Sequence, residues 1–299
     1  MNSSALRIPL LALLLAGCVS PVPAQTKGPG RYVETLESEG VKRSYILRIP
    51  KKVEDGKPLP VVLILHGWTG TAALAEVYTD TAEEAEKRGY IAVYPDGLGE
   101  RPGWNAGFID LSGQKKDDVA FMSAILDKVE SEVKVDKNRV YMCGHSNGAF
   151  MSHFAATQIG DRLAAIGAVA GTTGVGPRII PNPKEPVSVL MIHAKNDNTV
   201  AYDENSQSLL KGISQSKSAQ WWAKQLGITA PAEKSEINDG KVVTETWKNG
   251  KNGRMVQLVT LADGGHAWPG GRTVGGKETA SGIRASILLF DFFDANPKK

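Results

Sequence analysis

The pentad Gly144-His145-Ser146-Asn147-Gly148 sets a serine between two glycines, with an apolar run before it (Val140 to Cys143) and a helix-compatible stretch after it (Ala149 to Gln158). Strand, sharp turn and helix are what a nucleophile elbow requires. The hydroxyl stands out of a strained turn, and side chains two residues either side would crowd it. The helix that follows aims the positive end of its dipole at the place where negative charge develops in acyl transfer. A serine hydroxyl is a poor nucleophile at neutral pH. It needs a base to take its proton, and the base needs an acid to hold its tautomer and orientation.

Chain order narrows the partners, because on an elbow topology the acid follows the serine and the histidine comes last. There are five histidines. His66 precedes the elbow. His145 adjoins the serine and its ring is expected to point elsewhere. His153 lies in the following helix as a packing residue, and His193 comes before the best acid. His266 is late enough, in the glycine-framed loop Asp263-Gly264-Gly265-His266-Ala267-Trp268-Pro269-Gly270-Gly271. The best acid is Asp197, a short polar loop after the run Val187 to Ile192 and so at the carboxyl end of a strand, where ligand sites of open α/β sheets collect. Asp203 and Glu204 are the alternatives, while Asp161 reads as a helix terminus and Asp239 as part of a polar turn. Oxyanion donors are expected from the backbone N–H of Asn147 and from the loop His66-Gly67-Trp68-Thr69-Gly70, with Trp68 first and Thr69 next. Losing one such donor raises the barrier by about 3–4 kcal/mol.

These residues need a frame. Pro60 to Leu65 and Tyr90 to Tyr94 are continuous apolar runs that read as buried parallel strands. Arg139 to Cys143, Ala164 to Ala170 and Val187 to Ile192 continue the series. Arg43 to Ile49 reads as an edge or hairpin strand, and Val242 to Trp247 and Met255 to Leu261 as late strands about a turn at Asn249-Gly250. Helices are expected over Thr71 to Arg88, from Asp117-Asp118 onward, over Ser218 to Leu226 and over Ser281 to Phe293, and Gly99 to Lys116 reads as a loop. Strands alternating with helices, without repeats, give an α/β fold: a mostly parallel central sheet with helices on both faces.

The chain has 299 residues and a net charge of +3, enough for one large domain or two small ones; no internal linker divides it, so residues 31–299 are expected to form a single domain. Charges of both signs are scattered, without the clustered basic face that nucleic acid would need. Histidines without paired ligand spacing and the absence of a cysteine cluster argue against a metal, and Gly174-Val175-Gly176 is too weak a fragment for a phosphate loop, so no cofactor is expected. Residues 1–24 read as an export signal, with one basic side chain followed by an apolar run too short to span a bilayer. Leu15-Ala16-Gly17-Cys18 resembles a bacterial lipobox with cleavage before Cys18, which would tether the protein to a membrane through acyl chains. Val22-Pro23-Ala24 resembles an ordinary cleavage site. Either outcome takes the protein out of the cytoplasm: secreted, periplasmic or lipid-anchored. Residues 25–30 read as a linker. The other cysteine, Cys143, reads as a small buried hydrophobe.

The blocks Leu65-His66-Gly67, Trp104-Asn105-Ala106-Gly107-Phe108, Asp117-Asp118-Val119, the serine pentad, Ile192-His193 with Asp197, and Gly265 to Gly271 resemble the polyhydroxybutyrate depolymerase / feruloyl esterase family of α/β-hydrolases, in order over nearly the whole mature chain. The resemblance implies a triad of Ser146, Asp197 and His266, in agreement with the elimination above. It also implies hydrolysis of carboxylic esters through an acyl-enzyme, whether hydroxyalkanoate oligomers or feruloyl (hydroxycinnamoyl) esters of plant polysaccharides. Departures are Ile109-Asp110 where secreted members often carry cysteines, Ala149 where a further glycine is usual, and no appended polymer-binding module. These favour soluble or oligomeric esters over solid polyester. Among the six tryptophans, Trp68, Trp104 and Trp268 fall in blocks expected near the pocket and are candidate substrate-binding residues together with Asn105, whereas Trp221, Trp222 and Trp247 read as core. Two rival functions remain: a non-catalytic, membrane-tethered carbohydrate- or polymer-binding protein on a hydrolase scaffold, which would be expected to have lost a triad member, and a serine peptidase using the same three groups.

Overall fold

A computed structural model describes residues 27–51, 56–272 and 282–298. The export segment 1–24, with Cys18, and the first residues of the linker lie outside the described residues. In chain order the elements are β1 (Gly30–Ser38), β2 (Val41–Ile49), β3 (Leu59–Leu65), α1 (Ala72–Tyr78), α2 (Thr81–Arg88), β4 (Ile91–Pro95), α3 (Asp118–Glu132), β5 (Val135–His145) and α4 (Asn147–Gln158). There follow β6 (Ala165–Val169), the short pair β7 (Gly174–Val175) and β8 (Arg178–Ile179), β9 (Ser188–Ala194), α5 (Gln215–Gln225), β10 (Glu233–Ile237), β11 (Val242–Trp247), β12 (Val256–Leu261) and α6 (Ala285–Ala295).

Ten strands form one sheet in the order β1-β2-β4-β3-β5-β6-β9-β12-β11-β10. Its six central strands, β4 to β12, run parallel. An antiparallel hairpin closes each side, β1–β2 at one edge and β10–β11 at the other. The apolar runs are continuous because both faces of the sheet are covered. In β3, Val61, Leu63 and Leu65 join a core with α3, α4 and α5, while Val62 and Ile64 join a core with α1, α2 and α6. Alternation along the strand sends successive side chains to opposite faces, so a strand sandwiched between helices has no polar side.

Two departures from the sequence expectations have local causes. The single helix expected over Thr71 to Arg88 is two, α1 and α2. Thr79 turns its hydroxyl onto the Ala75 carbonyl and onto Thr81, and Asp80 takes a left-handed conformation (φ 54°). A threonine that bonds back to the preceding turn, followed by a residue type that tolerates the left-handed region, is a local alternative to continued helix. The strand β1 begins at Gly30 and alternates half-buried with exposed residues. Its polar, weakly patterned sequence hides the pairing that β2 supplies. Among the described residues no helix is long and apolar enough to cross a membrane.

Candidate active site

The loops that follow β3, β5, β9 and β12, four of the parallel strands, meet at one rim of the sheet. Ser146, between β5 and α4, has φ 54° and ψ −117°, a conformation rare for a residue with a side chain. The turn is fixed from both sides: the Ser146 N–H donates to the Val169 carbonyl at 2.9 Å, and the Ser146 carbonyl accepts from Ala149 and Phe150. The flanking glycines are required by contact. A Cβ on Gly144 would lie 2.4 Å from the Gly148 carbonyl carbon, and one on Gly148 would lie 2.3 Å from the Leu65 carbonyl oxygen. Strand β3 and helix α4 therefore approach more closely than any other residue type allows.

His266 arrives on the loop after β12. Its Nε2 lies 2.8 Å from Ser146 Oγ and its Nδ1 lies 2.8 Å from Asp197 Oδ2. Asp197 follows β9 and is buried. Its Oδ1 accepts from the N–H groups of Thr199 at 2.7 Å and Val200 at 2.9 Å. Burial alone would push this carboxyl up. The hydrogen bonds and charges of His193 and His266 outweigh burial and hold it below the usual carboxylate range. Because Asp197 is ionised and accepts only, the hydrogen on His266 belongs on Nδ1, which leaves the Nε2 lone pair facing the serine hydroxyl.

The oxyanion donors expected from the sequence are the backbone N–H groups of Asn147 and Trp68. Among the described residues the N–H groups of Asn147 and Trp68 make no hydrogen bond, whereas Thr69, the second choice in its loop, spends its N–H on the Pro102 carbonyl at 2.7 Å. That loop lies against the elbow: a Cβ on Gly67 would sit in van der Waals contact, 3.4 Å from Ser146 Cβ.

The four residues expected to bind substrate divide. Trp68 is 43% exposed and lines a cavity of about 420 Å³ beside His266, with Leu74, Tyr78, His145 and Ala267. Trp104 and Trp268 are 0% and 1% exposed, and neither lines it. Asn105 turns away: its amide donates to the Lys116 carbonyl at 3.2 Å and its Oδ1 accepts from Gly107 at 3.1 Å. Its own N–H goes to Asp118 Oδ2 at 2.7 Å, and Asp118 is ion-paired to the buried Arg43 at 2.6 Å. Aromatic and amide side chains in a glycine-rich loop can serve the loop as readily as a ligand, and here they do.

Trp104 has a different task. Its N–H donates to Asn147 Oδ1 at 2.7 Å, its carbonyl accepts from Asn147 Nδ2 at 3.2 Å, and its indole N–H donates to the His66 carbonyl at 2.8 Å. One residue thus clasps both the start of α4 and the loop that carries Trp68. His66 reinforces that loop: its Nε2 accepts the Gly97 N–H at 2.8 Å, so its Nδ1 carries the hydrogen and donates to the Gly67 carbonyl at 2.7 Å. His145 does not point away from the site. Its ring lies 5.0 Å from that of His266, and its Nδ1 meets the Tyr78 hydroxyl at 3.0 Å; burial pushes it down to about 3. His153 is a packing residue, accepting the indole N–H of Trp222 at 3.1 Å, and burial lowers it to about 3 as well. Chain order set His193 aside. The structure brings it to within 3.1 Å of Asp197, which a spacing of four residues at a strand end could have signalled.

A profile of the dienelactone hydrolase family matches residues 45–220, more than half of the chain and including the serine elbow and Asp197. The chain belongs to the dienelactone hydrolase family. Within the wider set of relatives, feruloyl esterase B of Piromyces equi is 28% identical over 236 residues, which is 75% of this chain and 42% of that protein. Feruloyl esterase C of Emericella nidulans is 31% identical over 209 residues, 66% of this chain and 72% of that one. The chain therefore spans less than half the length of the Piromyces relative. An acetyl xylan esterase from Aspergillus awamori superposes with a TM-score of 0.62 at 14% identity, covering 88% of this chain and 99% of that one. At that identity the likeness is one of fold, and it is the α/β-hydrolase fold expected from the sequence.

Proposed function

We propose that residues 31–299 act as one serine esterase domain, hydrolysing carboxylic esters through an acyl-enzyme. The observation that carries this reading is the continuous chain Ser146 Oγ, His266 Nε2, His266 Nδ1, Asp197 Oδ2, with 2.8 Å at each of its two links. His266 takes the serine proton as Oγ attacks the ester carbonyl carbon. The carbonyl oxygen gains negative charge and is met by the N–H groups of Asn147 and Trp68. As the tetrahedral adduct collapses, His266 returns the proton to the departing alkoxide. Water then attacks the acyl-enzyme by the same route, and the acid leaves. Active-site labelling with a fluorophosphonate tests this. The wild-type protein is expected to label and Ser146→Ala is not; an unlabelled wild type, or a labelled alanine variant, overturns the reading.

For the substrate, we propose hydroxycinnamoyl esters of plant polysaccharides, with hydroxyalkanoate oligomers as the alternative. Two observations support an aromatic acid. The cavity beside His266 is walled by Trp68, Leu74 and Ala267, with Trp68 presenting its ring to solvent, and flat rings stack on such a face. The relatives named above are feruloyl esterases. Methyl ferulate is expected to exceed p-nitrophenyl acetate, hydroxybutyrate oligomers and a peptide anilide in kcat/KM. Cleavage of the anilide above the esters would instead favour a peptidase. The sequence of residues 1–24 supports export, with Cys18 lipidated or Ala24 the last residue removed; the intact mass of the mature protein separates the two.

A further inference from the structure

The acid of the triad is shared between two histidines. Besides His266, the ring of His193 lies against Asp197: its Nε2 is 3.1 Å from Oδ2 and 3.1 Å from the Val200 carbonyl oxygen. Both neighbours are acceptors, so a lone pair on this nitrogen would face oxygen twice. The hydrogen is therefore on Nε2 and is divided between the two oxygens. Asp197 then receives four N–H groups, from Thr199 and Val200 on Oδ1 and from His266 and His193 on Oδ2, which fills the usual capacity of a carboxylate. His193 is held in this position by its surroundings. It lies near the end of β9 and is 2% exposed. Its register partner on β12 is Thr260, whose hydroxyl meets Tyr202 at 2.8 Å, and the Tyr202 ring stands edge-on to the imidazole at 6.0 Å. The titratable groups around it are Asp197, Tyr202, His266 and, further off, His145. Among the described residues no lysine or arginine is ion-paired with Asp197. The second imidazole stands where a cation would otherwise compensate the buried charge.

We propose that His193 is a positioning residue for the triad: its Nε2–H fixes the Asp197 carboxylate and withdraws negative charge from the oxygen that faces His266. This rests on the esterase reading above. A donor on Oδ2 makes Asp197 a weaker acceptor for His266. Removing that donor leaves more charge on Oδ2, strengthens the hold on a protonated His266, and lets its imidazole keep a proton to higher pH. The donor thus tempers the pull of Asp197 on the base, besides holding the carboxylate in line.

The test uses the full chain and the rate of fluorophosphonate labelling of Ser146 as a function of pH, with p-nitrophenyl acetate hydrolysis alongside. His193→Leu removes the donor. His193→Asn keeps a polar group but is too short to reach Oδ2, and His193→Gln can return an N–H near the Nε2 position. Leu and Asn are expected to label about tenfold to a hundredfold more slowly, as for loss of one hydrogen bond to a charged group, with the acid limb of the profile moved to higher pH. Gln is expected to recover much of the rate and to bring the limb back. If Leu fails to fold, the Asn and Gln pair decides by the same criterion. Wild-type limbs and rates in the Leu and Asn variants overturn the proposal. So does a slower rate with an unmoved limb that Gln does not rescue, which would mark simple packing. A wild-type protein that never labels would instead remove the esterase reading itself.

Discussion

The two ends of the parallel sheet use similar side chains to opposite effect. At the end opposite the elbow, Arg162 pairs with Asp127 at 2.6 Å and Glu130 at 2.7 Å, and Lys137 pairs with Glu130 at 3.0 Å. Much of that cluster is open to water: Asp127 is 70% exposed and Lys137 is 77% exposed. The pairs that involve Asp127 and Lys137, each with one partner open to water, contribute roughly 0–1 kcal/mol each, while Arg162 and Glu130, 21% and 19% exposed, are more sheltered. At the elbow end Asp197 is buried and its partners are backbone N–H groups and two imidazoles. A carboxylate removed from water costs much more to leave unpartnered, so its geometry is over-determined. Positive φ does not follow that division strictly: Ser146, Thr69 and Ala170 take it around the site, while Glu39, Asp80, Lys115, Asn238, Asp239, Asn249 and Asn252 take it elsewhere. Asn and Asp enter that region readily, while Ser, Thr and Ala enter it where the surrounding contacts impose it.

Variants at the two ends should therefore differ by orders of magnitude. The largest effect is expected at the hydroxyl and its base. Ser146→Ala and His266→Ala should each lower kcat for p-nitrophenyl acetate by about 10⁶-fold, and combining them should cost little more, because the groups act as a unit. Next comes the clasp. Trp104→Phe keeps the ring but removes the N–H that holds the His66 carbonyl, so the Trp68 donor loosens. A fall in kcat of about tenfold to a hundredfold with little change in KM is expected, as for weakening an oxyanion donor rather than losing one; a change confined to KM would place Trp104 in substrate binding instead.

Acid should weaken the fold through residues at the elbow end and in its helix. His145 and His153 stay neutral in the folded chain down to about pH 3, whereas unfolded histidine takes up a proton near 6.5. Between those values the unfolded chain binds more protons, so stability falls as pH drops through that window. Asp197 adds a contribution present above the ordinary carboxylate value near 4 and lost as pH falls through its lower folded value. Urea midpoints measured at pH 7 and pH 5 should decline, and His153→Gln, which keeps an acceptor for Trp222, should flatten part of the decline. The smallest effect is expected at the far end: Arg162→Ala should leave kcat unchanged and lower Tm by no more than about 2–4 °C, less at high salt. A large loss of activity there would break the contrast between the two ends.

The parts of the site that chain order and local pattern encode were legible before the coordinates. Ser146, Asp197 and His266 sit in blocks whose glycines and flanking apolar runs declare a strand end, and the order of the three excludes most rivals. What the sequence hid depends on which way a side chain turns once the loops close. Trp104, Asn105 and Trp268 have the right composition for a pocket. Yet Trp104 and Trp268 are buried, and Asn105 spends its amide within its own loop. His193 failed an order rule that applies to a base and says nothing about a second donor. The strand β1 was hidden for another reason: its residues alternate only between half-buried and exposed, and pairing with β2 makes it a strand.

The edge hairpins have a practical consequence. The site is assembled from the loops after β3, β5, β9 and β12, and neither hairpin contributes to it. The tip of β10–β11, Asn238-Asp239-Gly240, is exposed, and the strand leading into it is exposed along its length. A purification tag or a surface-immobilisation peptide inserted between Asp239 and Gly240 would sit at the root of the His266 loop, because the neighbouring Lys241 carbonyl accepts the Ala262 N–H at 2.8 Å and the start of β11 pairs with the end of β12. Protein engineers would do better with the exposed turn Lys251–Gly253, which joins β11 to β12 at the opposite end of those strands.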